Sequence, residues 1–275
     1  MPVFIFALSQ AASINWRSAV MAFVILHVLI FPSSNGYNSY QDRDESSIGG
    51  LKHPPKVSKS LYYISLLFDS AGVLLGLFIS TLFSLFVLVL VLMSRAYSYR
   101  NVRLKKYPII GFLTVFVFQG AFVYLAAFSA ITSFFLRTFF SGNTLLCMSV
   151  ASLFIGSMYP LTQIYQHESD KKDGVITISY KLGYVGTFVF SSALFGAGSV
   201  LLFLLSTSHH QPIAFAVFVA AMSPVIVYLI RWTDKVCRDV VHASFENTMR
   251  MIMLVSICMN AYFGVMILDN HWRWF

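Results

Sequence analysis

Nine apolar runs recur along the chain, at roughly 2–14, 16–34, 61–79, 80–96, 108–130, 144–165, 184–206, 212–230 and 245–268, and no other feature constrains the fold as strongly. Most approach the ~20 residues with which an α-helix crosses a hydrocarbon core about 30 Å thick. A backbone in lipid must satisfy its polar groups within its own segment, so runs of this length are expected to be helices. The chain is therefore expected to be all-α: a polytopic membrane bundle of about nine transmembrane helices forming a single domain over residues 1–275. The first run, with about 14 residues at 1.5 Å each, reaches only ~21 Å. It reads as truncated at its start or as a partial helix.

Composition excludes the soluble classes. The chain is 57% hydrophobic and 11% charged, far from the balance of a water-soluble domain. The lipid bilayer is its first expected partner. A net charge of +8 would suggest nucleic acid in a soluble protein, but here it suits membrane-flanking loops, and no nucleic-acid partner is expected. Fifteen of the nineteen Lys and Arg residues fall in turns after the second, fourth, sixth and eighth runs, Arg95 among them, against Arg17, Arg137 and Arg273 on the other side. By the positive-inside rule those turns face the cytoplasm, in a multi-pass protein of a bacterial inner membrane. The tail HWRWF puts Trp272 and Trp274 where interfacial anchors belong. Cys147, Cys237 and Cys258 lack metal-ligand spacing and read as packing residues.

Two polar stretches interrupt the apolar pattern on this cytoplasmic side. The first, residues 35–60, brings Asn38, Asp42, Asp44 and Glu45 together with Lys52, Lys56 and Lys59. If the second helix continues past Ser34, then Asn38, Asp42 and Ser46 recur every four residues on one face. Oxygen ligands presented that way suit a hard cation such as magnesium. The second stretch, residues 159–183, runs from an apolar span into Gln166, Glu168, Asp170 and Asp173. Two such clusters on one face can hold a single polyanion. Asp69, about eight residues into the third run, would cost about 2.5–3.5 kcal/mol facing lipid, so it should face the interior, either binding substrate or capping a hydroxyl such as that of Ser70 or Ser80. His27, His209 and His210 lack partners at ligand spacing and read as packing and solvated residues.

These residues resemble the UbiA superfamily of intramembrane prenyltransferases. Asn38 and Asp42 match the first part of its Asn-x-x-x-Asp-x-x-x-Asp signature, with Asp44 in an Asp-Arg-Asp setting and Ser46 in place of the last Asp. Asp170, Gly174 and Thr177 match its second signature, with Gln166 where the first Asp belongs. Between them Tyr97, Ser98, Arg103, Leu104, Lys105 and Lys106 are similar to a third family stretch. The resemblance implies magnesium-dependent transfer of a prenyl group from an isoprenyl diphosphate donor to a lipophilic, aromatic acceptor, as in quinone biosynthesis. It implies metal ligation by Asn38, Asp42, Asp44, Ser46, Gln166 and Asp170, and catalytic roles for Asp42, Asp170 and Lys105. Lys52, Tyr97, Arg103 and Lys106 would join Asn38 in binding the diphosphate. Two family aspartates are replaced, so a relative with lost or altered transferase chemistry is the main alternative. A transporter is the second. It is disfavoured because transporters place charge near the midplane, and here only Asp69 lies deep.

Overall fold

The computed structural model describes residues 2–43, 47–132 and 141–272, with side chains through Asp269. Asp44, Ser46, Arg137, Arg273 and the side chains of Trp272 and Trp274 lie outside the described residues. Nine helical segments form among the described ones: α1 (Pro2–Ser9), α2 (Trp16–Asp42), α3 (Lys59–Gly76), α4 (Thr81–Ser98), α5 (Pro108–Thr132), α6 (Gly142–Lys172), α7 (Ile178–Ser208), α8 (Pro212–Arg238) and α9 (Phe245–Trp272). All but α1 and α3 are long and apolar enough to cross a membrane. No strand is present among the described residues. The short first run is indeed a short helix, and α3 falls below the others in hydropathy chiefly because Lys59 and Asp69 lie in it.

The helix starts follow local chemistry. Asn15, Ser80, Ser141 and Thr177 each cap the helix that follows by accepting a hydrogen bond from a backbone N–H three residues on, which satisfies a donor the helix cannot. Pro108 and Pro212 occupy first-turn positions, where a missing N–H costs nothing. Two spans widen internally into π-helix, α2 at Ile25–Ile30 and α5 at Phe116–Phe122. In α5 the wide turn includes Ala121, whose N–H donates to Ser152 Oγ of α6 at 3.0 Å. The same crossing needs Gly120, since a Cβ there would lie 2.4 Å from the Ser152 backbone.

The core runs through the middle of the bundle, with Phe6, Phe83, Tyr124, Phe188, Phe218 and Trp232 essentially inaccessible. Large apolar side chains also point outward along the spans, among them Leu92, Val189 and Ile230, as a lipid-facing surface requires.

One expectation from the charge distribution is corrected here. Arg95 is not a loop charge but lies inside α4, where it forms an ion pair with Asp69 of α3. Ser33 Oγ of α2 donates to Asp69 Oδ1 at 2.6 Å, and the Arg95 guanidinium also lies 3.7 Å from the Tyr37 ring centre. Asp69 thus faces the interior and accepts from a hydroxyl, that of Ser33 and not of Ser70 or Ser80, and with Arg95 it joins α2, α3 and α4 through a buried charge pair. A charge this deep is tolerable only with such a partner.

Candidate active site

The second helix does continue past Ser34, and it ends at Asp42, so Asn38 and Asp42 sit one turn apart on its last stretch. Arg43 then takes a left-handed conformation, with φ 56°, and stops the helix. Alongside, the end of α4 contributes Tyr97, and the turn that follows contributes Arg103 and Lys105. From the other half, the last turns of α6 and the residues after it bring Tyr159, Gln163, Gln166, Glu168, Asp170, Asp173 and Thr177. These groups line one polar cavity of about 800 Å³.

Cations of the α4–α5 turn hold the acidic wall together. Lys105 pairs with Asp42 and donates from Nζ to Asn38 Oδ1 at 3.0 Å, and Ser98 Oγ donates to the same amide oxygen at 2.8 Å. Arg103 Nη2 donates to Asp42 Oδ1 at 3.1 Å and also pairs with Asp173, while Nη1 donates to the Asp173 backbone carbonyl at 3.1 Å. One guanidinium therefore ties the first polar stretch to the second. Burial works against its charge, but the hydrogen bonds and charges of Asp173 and Asp42 outweigh that and hold its pKa above the ordinary arginine value. Arg103 is itself left-handed, φ 45°, a conformation that costs energy outside glycine and is kept only where surrounding contacts demand it.

The second stretch is built differently. After α6 narrows to a 3₁₀ turn at Ile164–Gln166, a further helical turn carries Glu168 and Asp170. Gly174, at φ +70°, then reverses the chain so that Val175 N–H donates to the Asp170 carbonyl at 2.8 Å. His167 faces away from the cavity; its Nε2 shares a 2.8 Å hydrogen bond with Ser179 Oγ and its ring stacks on Tyr184. Gln166 Nε2 donates to the Ser47 carbonyl at 3.3 Å, so its amide tethers the segment of Ser47, Ile48 and Gly49 that covers part of the cavity.

Of the residues singled out from the sequence, Asn38, Asp42, Tyr97, Arg103, Lys105, Gln166 and Asp170 meet at this cavity. Lys52 and Lys106 do not line it. Lys52 Nζ forms an ion pair with Glu246 at the start of α9 at 2.5 Å, and Lys106 Nζ lies over the Tyr107 ring. Both are drawn off by a nearer partner of suitable chemistry. The structure adds Tyr159 and Gln163, which the sequence reading missed because they lie among apolar residues inside α6. The Tyr97 and Tyr159 hydroxyls share a 2.5 Å hydrogen bond, and Gln163 Oε1 is buried without a partner among the described residues.

Asp42, Glu168, Asp170 and Asp173 are matched on the cavity wall by Arg43, Arg103, Lys105 and Lys172. A polyanion entering such a balanced site adds negative charge that further cations must offset. No group of three or more His, Cys, Asp or Glu side chains among the described residues forms a protein-only cage. Magnesium does not need one, since it commonly binds through one or two carboxylates, water and substrate phosphate oxygens. The hard oxygen donors of Asn38, Asp42, Asp170 and the buried Oε1 of Gln163 fit that requirement.

The description "UbiA prenyltransferase family" belongs to the profile that matches residues 1–254. No curated protein sequence matches significantly. Among solved structures, a digeranylgeranylglyceryl phosphate synthase is similar at TM-score 0.59 and 17% identity, covering 98% of this chain and 91% of its own. A UbiA homologue from Archaeoglobus fulgidus bound to GPP and Mg²⁺ is similar at TM-score 0.64 and 16% identity, covering 97% and 95%. The same homologue bound to DMAPP and Mg²⁺ gives TM-score 0.62 and 17% identity, again covering 97% and 95%. At these identities the structural likeness establishes the fold.

Proposed function

Because the chain belongs to the UbiA prenyltransferase family, we propose that it transfers a prenyl group from an isoprenyl diphosphate to a lipophilic aromatic acceptor of the quinone-precursor class, with magnesium as cofactor. The observation that carries this reading is the joining of two acidic stretches by Arg103 around one cavity of about 800 Å³. Solved relatives hold GPP or DMAPP with Mg²⁺, which supports the donor class.

Asn38, Asp42 and Asp170 would hold the metal, with Asp44 and Ser46 as further implied ligands, and Gln163 is added to that set by its unpartnered oxygen. When bound, magnesium supplies charge neutralisation for the diphosphate leaving group. Lys105 and Arg103 supply hydrogen bonds to diphosphate oxygens, which strengthen as the leaving group gains charge. The allylic carbon–oxygen bond breaks with its electron pair leaving on the diphosphate. The acceptor's nucleophilic atom forms the new bond at that carbon, and its proton leaves to the water of the open cavity.

The isoprenoid tail fits a second pocket of about 210 Å³, between α1, α6, α8 and α9, whose lining is almost wholly apolar and which meets the polar cavity at Thr162. Each CH₂ withdrawn from water there contributes about 0.8 kcal/mol. The charge distribution of the loops supports a cytoplasmic-facing cavity in a bacterial inner membrane.

A second reading, altered chemistry, is favoured by one contact: Gln166 uses its amide as a donor to the Ser47 carbonyl, which an aspartate could not do. Incubating the purified protein with geranyl diphosphate, Mg²⁺ and extracted lipids, then measuring diphosphate release and prenylated products by mass spectrometry, decides between them. Release together with a new prenylated lipid supports transfer. Release of neither, at any magnesium concentration, overturns it.

A further inference from the structure

A third pocket, of about 150 Å³, lies within the span region between α2, α4 and α5 and meets the polar cavity at Asn38 and Tyr97. Its walls differ from those of the apolar pocket. Asn35 and Gln119 both line it, both are exposed, and neither side-chain amide has a hydrogen-bond partner among the described residues. Gln119 lies near the middle of the 25-residue span Pro108–Thr132. An amide at that depth is expensive unless it has something to bind. Ser34 and Ser94 add a hydroxyl pair, bonded to each other at 2.5 Å. The pocket is also bordered by the π-helical stretches of both α2 and α5, through Ile30 and through Phe118 and Gln119. Wide turns of this kind recur at functional sites, because they re-aim side chains that a regular helix would direct elsewhere.

An isoprenoid chain has nothing to offer two amides. A ring bearing a hydroxyl or carbonyl does. Cavities of about 150 Å³ accept one benzene-sized ring, and the walls combine apolar groups with a few convergent polar ones, as small-molecule sites do. We infer that this pocket is the subsite for the acceptor's ring, and that Gln119 and Asn35 are its specificity-determining residues, recognising an uncharged phenol or quinol hydroxyl. The assignment rests on the prenyl-transfer reading for what then happens to the ring, though not for the binding itself. Its position beside Asn38 and Tyr97 puts the ring next to the diphosphate end of the cavity, and the tail is left to the apolar pocket.

The test is a ¹⁹F NMR titration of the full chain in lipid nanodiscs with 4-fluorophenol, and with fluorobenzene as the probe that lacks the hydroxyl. The parent should bind 4-fluorophenol saturably. Gln119→Leu should weaken that binding roughly three- to tenfold, as expected for a lost hydrogen bond, with fluorobenzene unaffected. Thr114→Phe, which fills the pocket from its wall, should abolish both. Neither variant should change the affinity for geranyl diphosphate measured by calorimetry, and an unchanged thermal unfolding curve for Gln119→Leu shows that folding is intact. The inference is overturned if 4-fluorophenol binds both variants as it binds the parent, if it does not bind the parent saturably, or if the variants shift donor affinity in place of phenol affinity. A parent that releases no diphosphate from any donor sinks the prenyl-transfer reading alone, and the titration still decides the pocket.

Discussion

The two acidic stretches reach the same cavity by different physical means. Asn38 and Asp42 stand at the end of a long helix, Asp42 is clamped by two cations at 12% side-chain exposure, and behind them the buried Asp69–Arg95 pair braces α2 against α3 and α4. The second stretch is a 3₁₀ turn, a short helical turn and a glycine reversal, with Asp173 at 39% exposure and one hydrogen bond between His167 and Ser179 behind it. The first half is preorganised by charge in a low-dielectric setting. The second is shaped by backbone turns closer to water. Electrostatic interactions strengthen with burial, so perturbing the first half should cost more.

The brace gives the largest test. Arg95→Met should destabilise the folded chain by about 3–5 kcal/mol, because it strands the Asp69 charge in the bundle, whereas Asp69→Leu combined with Arg95→Met should recover most of that loss. Thermal unfolding in detergent measures both. His167→Phe, at the equivalent place behind the second stretch, should cost only about 0.5–1.5 kcal/mol, the net worth of one hydrogen bond, because Ser179 keeps its bond to Thr187. Equal costs at the two positions would break the comparison.

Next are the carboxylates themselves. Asp42→Ala and Asp170→Ala should each reduce diphosphate release by about 10²–10³-fold, the range found when one group that stabilises transition-state charge is removed. Near-normal turnover in both would show that the metal-diphosphate site is wrongly placed. Asp173→Asn should cost roughly tenfold or less, since its partner Arg103 keeps Asp42 and the exposed side of the pair is screened by solvent. A loss as large as that of Asp42→Ala would mean that the two halves are equally committed.

The smallest expected effect concerns the two departures from the family pattern. Ser46→Asp with Gln166→Asp restores two charges toward a divalent cation, and the magnesium concentration for half-maximal activity should fall several-fold. The gain is limited because Gln166→Asp also removes the tether to the Ser47 carbonyl. An unchanged magnesium requirement would show that position 166 serves only that tether.

Apolar run length alone made the helices legible, because backbone hydrogen bonding in lipid leaves few alternatives to a helix. The four-residue spacing of Asn38 and Asp42 held for the same reason: the periodicity of a helix is local, and the residues sit on one. Asp170 with Thr177, and Arg103 with Lys105, were recognisable as motifs, although their meeting point was not. Tyr159 and Gln163 carried no signal, since a polar residue inside an apolar run looks the same whether it faces a cavity or a neighbour.

What only the tertiary structure decided was pairing. Among the cations placed on one side by the charge pattern, Lys105 and Arg103 turned to Asp42 while Lys52 turned to Glu246, 194 positions further along the chain and reachable only because α9 begins beside the cavity. Arg95, read from sequence as a loop charge, was drawn inside the bundle by Asp69. Sequence determines which segments enter the membrane because transfer from water is a property of each segment alone. Which charge meets which depends on distances between helices far apart in the chain, and those are set when the bundle packs.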